Sequence, residues 1–137
     1  MANDIRWQQR FQNFDRAFSL LRSAFESKEL SEFSELEQEG IIQRFEYTFE
    51  LAWKTMKDYL QCNGSLEIPE ITARSVIKEA YAAKLIEDGQ VWIDMMLHRN
   101  ILSHCYDFAK FQEILKATKE LYLPAITEFH AWLSERM

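Results

Sequence analysis

Residues 98–107 read His-Arg-Asn-Ile-Leu-Ser-His-Cys-Tyr-Asp, eight polar or titratable side chains in ten positions. Within this cluster Arg99 and His104 are the pair that can do chemistry. A guanidinium grips a phosphate through two parallel hydrogen bonds and stays charged. An imidazole takes up and releases a proton near neutrality. Together they can cleave a phosphodiester without a metal, His104 moving the proton while Arg99 steadies charge on the phosphate. The same segment also reads as a helix end whose polar groups cap the chain and join Tyr106 in a structural network. On one straight helix, positions 99 and 104 lie about 140° apart, since each residue turns about 100°. The two side chains converge only if the helix ends or bends between them, or if two subunits pool their copies. Ser103 or Asp107 can cap a new helix at such a break.

Other catalytic signatures are missing from the sequence. It holds no Gly-rich phosphate loop, no paired CxxC, no HExxH and no GxSxG. Histidines stand at 98, 104 and 130, none at zinc-site spacing from Cys62 or Cys105. No metal and no cofactor is therefore expected. Two cysteines without an export signal read as reduced thiols, which places the protein in the cytoplasm. The longest apolar stretches are a few residues, too short for a membrane span.

Apolar spacing supplies the elements that must hold these residues. Trp7, Phe11, Phe14, Phe18, Leu21 and Phe25 alternate by four and three, a helical stripe without a slip. Ile42, Phe45, Phe49, Ala52, Met56 and Tyr59 form a second, which stops at Asn63-Gly64. Ile71, Ala73, Ile77, Ala80, Tyr81 and Leu85 form a third, opened by Pro69 and broken by Asp88-Gly89. Val91, Trp92, Met95, Met96 and Leu102 support a fourth. The fifth runs through Phe108, Phe111, Leu115, Thr118, Tyr122, Ala125, Phe129 and Trp132, with Pro124 predicting a kink or break inside it. The predicted helices cover 4–27, 32–62, 69–86, 89–102 and 107–136. Three glycines and two prolines in 137 residues leave too few turn formers for a strand-rich fold. The expected fold is all-α: one domain over 1–137, an elongated antiparallel up-and-down bundle of four to five helices. Aromatic residues beyond the needs of one small core suggest side-by-side dimerisation.

The net charge is −6, and it is concentrated. Residues 26–50 hold eight glutamates against Lys28 and Arg44, while the remainder is balanced. Clustered phosphate-binding cations are not evident, which disfavours non-specific nucleic-acid binding. Two readings of the acidic run stand: glutamates suited to a helix start, or a docking face for a basic partner.

The pattern Arg99-x4-His104-x-Tyr106 resembles the signature of HEPN domains of the HepT type. The surrounding Arg99-Asn100-x-x-Ser103-His104-x-Tyr106-Asp107, with Gln43-Arg44-Phe45-Glu46-Tyr47-Thr48-Phe49-Glu50-Leu51-Ala52-Trp53-Lys54, is similar to the nucleotidyltransferase substrate-binding members of that group. The likeness spans most of the chain. It implies a helical homodimer with two copies of the motif in one cleft. It also implies a toxin-antitoxin-like pair with a minimal nucleotidyltransferase encoded nearby. In such pairs the bundle is a metal-independent ribonuclease, and the partner silences it by adenylylation. By position, Arg99 and His104 would be catalytic, Tyr106 modified, and Asn100, Asp107, Glu46 and Glu50 supporting. The alternative within the same resemblance is a non-catalytic substrate-binding subunit of the transferase.

Overall fold

The first two stripes pair with each other. In a computed structural model, which describes residues 2–64, 68–104 and 107–137 (side chains of 2–4 and of His104 excepted), they form α1 (Ala2–Ser27) and α2 (Glu35–Cys62). All six predicted stripe residues of α1, Trp7 to Phe25, are buried. The helices run antiparallel: Trp7 meets Tyr59 edge-on, Arg10 reaches Asp58, and Arg44 Nη1 donates to the Leu20 carbonyl.

The turn between them is built from side-chain caps. Glu29 and Glu32 form a capping box around a 3₁₀ turn at Leu30–Glu32. Ser34 and Glu37 form another at the start of α2, with Ser34 Oγ accepting from the Glu37 N–H at 3.1 Å. Lys28 donates to Glu37 at 2.8 Å and holds its carboxyl down at about 2, helped by the Ser34 backbone N–H. At its other end α2 stops at Asn63 and Gly64, where φ is +70°, a conformation glycine adopts freely.

Helix α3 is shorter than the spacing predicts, Ala73–Ala82 instead of 69–86. Thr72 and Ser75 cap it reciprocally, so Pro69 lies before the helix. Its end is set by Lys84 at φ 66°, with the Leu85 N–H reaching back to the Ala80 carbonyl. That is a Schellman-type stop on a lysine, without the glycine that usually signals one. Ile71 and Tyr81, expected in the core, are exposed, and Val76 is buried instead.

Helix α4 (Gly89–His104) continues two residues past its predicted end. Asp107 then caps α5 (Phe108–Ala117), its Oδ1 accepting from the Ala109 N–H at 2.8 Å and the Lys110 N–H at 3.2 Å. Phe108, expected in the fifth stripe, is exposed. After α5 comes a π turn, Thr118–Tyr122, followed by α6 (Leu123–Ser134). Pro124 sits in the first turn of α6 and has no N–H to donate. The wider turn, with the Leu123 N–H on the Thr118 carbonyl, takes up the distortion before the proline. It also moves the buried face onto Thr118, Tyr122 and Ile126, every fourth residue, while Ala125 is only partly buried.

The order is up and down. Gln112 bonds Gln38, Tyr122 stacks on Phe45 and Trp132 meets Tyr59, so α5 and α6 run parallel to α2. Trp92 packs against Phe49 and Phe129, while His98 reaches Tyr122, so α4 runs antiparallel to both. The described residues form an all-α bundle with α3 as a short corner helix. No helix is long and apolar enough to cross a membrane among them.

One buried charge crosses the α1–α2 seam. Asp58 is 1% exposed; its Oδ2 accepts from Arg10 Nε at 3.0 Å, and Lys57 Nζ lies 3.6 Å from Oδ1. Replacing Arg10 by Ala takes the hydrogen-bond donor away from a buried carboxylate, and should cost about 1–3 kcal/mol in urea unfolding. Lys84→Gly relieves a left-handed backbone and should raise stability by about 1 kcal/mol in the same measurement.

Candidate functional site

Helix α4 is unbroken from Gly89 to His104, so Arg99 and His104 lie on one helix. The break expected between them does not occur. Ser103 does not cap a new helix; its Oγ donates back to the Arg99 carbonyl at 3.4 Å. Positions 99 and 104 are therefore about 140° apart around the axis. The His104 side chain and all of Tyr106 lie outside the described residues.

Arg99 is fixed by α2. Its Nη1 pairs with Glu50 Oε2, and its guanidinium lies over the Phe49 ring, 5.1 Å from the centroid. Nε donates to Asn100 Oδ1 at 3.2 Å. Lys54 Nζ stands 3.4 Å from the other oxygen of Glu50, one helical turn along α2. The carboxylate is thus shared by two cations, and both side chains of the Arg99–Glu50 pair are half-buried. A ring face under the guanidinium adds on the order of 0.5–1 kcal/mol at a partly exposed site.

Glu46 belongs to the same face of α2, one turn before Glu50. Burial pushes its carboxyl above the ordinary glutamate range, and Arg99 pulls it part of the way back. The structure therefore brings together Arg99, Asn100, Glu50 and Glu46. Asp107 stands apart as the cap of α5. Phe49 and Lys54 complete the cluster, and the sequence block that carried the resemblance contained both. The Glu50–Lys54 spacing of four was the signal available for Lys54.

The other face of α4 holds a pair without a sequence signal. Tyr122 Oη and His98 Nδ1 are 2.7 Å apart, and Tyr122 is 1% exposed. Both line a cleft of about 500 Å³ with Asp94, Leu97, Glu113 and Leu121. Burial raises the Tyr122 hydroxyl to about 12, with Asp94 and Glu113 adding to the shift. Burial also lowers His98, against the pull of Glu113 and Asp94; Lys110 adds to the depression. A larger cavity, about 670 Å³ at the α3–α4 corner, is lined by Lys78, Tyr81, Glu87 and Gln90 among others, and touches none of the predicted site residues. Among the described residues no His, Cys, Asp or Glu cluster is arranged to hold a metal.

Part of the acidic run caps helix starts and part pairs with cations of other helices. Glu29 and Glu32 cap the 3₁₀ turn, Glu37 caps α2, and Glu50 holds Arg99. Glu29 also meets Lys119 at 3.3 Å. Glu35 and Glu39 remain as exposed carboxylates.

Residues 9–135 match the family described as nucleotidyltransferase substrate binding protein like. A Haemophilus influenzae protein named probable ribonuclease HepT is 38% identical over 74 residues, 52% of this chain and 50% of that protein. The chain thus spans about half the length of that curated relative. Two solved structures share the fold. A Haemophilus influenzae protein, reported to reveal the fold of a substrate binding domain of a nucleotidyltransferase, superposes with a TM-score of 0.77 at 25% identity, covering 90% of this chain and 98% of the other. A Thermus thermophilus protein superposes with a TM-score of 0.71 at 28% identity, covering 90% and 97%.

His98 gives a pH prediction. An unfolded histidine titrates near 6.5, and the folded one lower. The unfolded chain therefore binds the proton first, so this contribution is complete above about pH 6.5 and is lost as pH falls below it. His98→Gln should flatten the loss of stability between pH 7 and 5 relative to wild type, read from urea midpoints.

Proposed function

The chain belongs to the nucleotidyltransferase substrate binding protein like family, and from that premise we propose that it is a metal-independent ribonuclease controlled by a separately encoded minimal nucleotidyltransferase. Arg99 holds the scissile phosphate, and His104 transfers a proton of the reacting oxygens. Adenylylation of Tyr106 blocks the site by bulk and negative charge. The observation that carries this reading is the held guanidinium. Arg99 is oriented by Phe49, Glu50 and Asn100 and does not range through solvent. A phosphate dianion or diester can exchange with the Glu50 carboxylate for the same fork of donors. The name of the Haemophilus influenzae relative agrees with this chemistry.

The unbroken α4 supports a homodimer as the working unit. Since positions 99 and 104 diverge on one helix, an Arg–His site is completed by pairing Arg99 of one copy with His104 of another. Sedimentation should give about twice the 16.4 kDa chain mass.

A second reading is a non-catalytic subunit that binds the transferase and its substrate. The Arg99–Glu50 pair favours it, because the charge of the guanidinium is already met by a carboxylate. The net charge of −6 favours it as well.

Cleavage of single-stranded RNA in excess chelator, leaving 2′,3′-cyclic phosphate ends, is the expected outcome. His104→Ala and Arg99→Ala should each lower the rate by about 10²–10⁴-fold with the dimer and its melting curve intact. Tyr106→Phe should cut RNA and gain no adenylyl mass from the transferase and ATP. A folded, unmodified wild-type dimer that cuts no RNA selects the non-catalytic reading.

A further inference from the structure

We propose that the notch between the starts of α2 and α5 is a docking site for a lysine or arginine side chain of the partner nucleotidyltransferase, with its charge between Glu35 and Glu39 and its stem against Phe108. The inference rests on the transferase pairing, which both readings of the function share.

The notch is apolar within and acidic at its rim. Glu35, Gln38 and Glu39 from the first turns of α2, with Phe108 and Phe111 from the first turn of α5, line a hollow of about 210 Å³. Phe111 is buried, whereas Phe108 is 62% exposed. Leu36, next to Glu35 on α2, is 78% exposed. The shape is held in place by Gln38, which ties the two parallel helices and the turn before them. Its Oε1 accepts from Gln112 Nε2 at 2.8 Å, and its Nε2 donates to the Phe33 carbonyl at 3.3 Å. Asp107 fixes the start of α5 through the Ala109 and Lys110 N–H groups.

Folding alone does not account for the charges at the rim. Glu35 and Glu39 stand four apart on one face of α2, so their like charges oppose each other. The helix dipole favours Glu35 in the first turn, but its effect falls off before Glu39. Among the described residues no side-chain hydrogen bond or ion pair engages either carboxylate. The cations of the adjoining turns are already engaged, Lys28 with Glu37 at 2.8 Å and Lys110 with Glu113 at 2.7 Å.

Charge complementarity selects the occupant. The lining carries two carboxylates and no cation, which rejects a phosphate or an acidic peptide. A hollow of this size lies below the range of cavities that enclose a whole small-molecule ligand. A lysine or arginine side chain satisfies every feature. Its N–H groups donate to the two carboxylates. The open face of Phe108 attracts the cation. The methylene stem covers Phe108 and Leu36 while the charged head stays at the rim. The net charge of −6 acts in the same sense at longer range, drawing a basic surface toward the chain.

The test uses the full-length chain and the transferase encoded beside it, both purified, with association and dissociation followed on a sensor surface. Glu35→Gln with Glu39→Gln should raise Kd about tenfold or more, slow association at low salt and flatten the salt dependence of the on-rate. Phe108→Ala should raise Kd by about tenfold through faster dissociation and keep that salt dependence. Glu120→Gln with Glu135→Gln removes the same charge from exposed positions elsewhere and should leave Kd unchanged. In the wild-type complex the amides of residues 35–39 and 108–111 should exchange hydrogen more slowly than in the free chain, a readout that needs no variant to fold. Unchanged affinity in either notch variant, or no added protection of these amides, overturns the docking site and leaves the transferase pairing standing. Equal weakening by the Glu120 and Glu135 pair reduces the effect to net charge and overturns it too. If Phe108→Ala sediments lighter than wild type, the notch belongs to a contact between copies and the proposal falls. A wild-type chain that forms no complex with the transferase at micromolar concentration overturns the pairing itself, and the docking site with it.

Discussion

Helix α2 carries the constraint on which the other elements depend: it must bury apolar surface toward several partners at once. Phe45 and Phe49 are completely buried, Phe45 stacked on Tyr122 and Phe49 packed on Trp92. Along the adjoining side Ile42, Ala52, Met56 and Leu60 are buried in the same core as the aromatic stripe of α1. Burying a single phenylalanine contributes about 1.5–3 kcal/mol, and truncating one to alanine typically costs more because a cavity remains. With α2 fixed between α1 and α4, the polar residues at its margin have fixed neighbours too. Glu50 meets Arg99 because Phe49, its neighbour in sequence, is packed against α4.

The polar layer follows from that packing in two modes. At the helix starts, carboxylates and hydroxyls satisfy backbone donors of their own segment, as at Ser34–Glu37, Thr72–Ser75 and Asp107. Between helices, charge crosses a seam: Arg10 to Asp58, Arg99 to Glu50, Lys119 to Glu29. The first mode is local and costs little order. The second requires two helices already docked, and it is there that Arg99 acquires a defined orientation. His98 and Tyr122 belong to the second mode as well, and the π turn before Pro124 sets the register that carries Tyr122 into the core.

The helical class, the stripes of α1 and α2, the glycine stop at 64 and the distortion near Pro124 were legible in the sequence. They arise from periodicity, from backbone freedom and from a missing N–H, which are properties of a residue and its near neighbours. The cluster of Arg99, Asn100 and the acidic block at 46–50 was also legible, through the resemblance of two separated motifs. The ends of α3 were not, because a lysine in the left-handed region has no distinctive local signature. Tyr81 and Phe108 were misassigned to the core for a related reason. An apolar residue at a helix margin satisfies the spacing whether or not another helix arrives to cover it.

By itself, the sequence determined that the chain is helical, where its long stripes run, and that an arginine, histidine and tyrosine lie within eight positions on or beside one helix. Only the tertiary structure decided which carboxylates cap helix starts and which one faces Arg99. It alone showed that α4 continues through residue 104, so that two residues five apart diverge around one axis. The physical reason is range. Propensity and capping act within a turn or two of the chain, whereas an ion pair between residues 50 and 99 exists only after aromatic packing has brought α2 and α4 together.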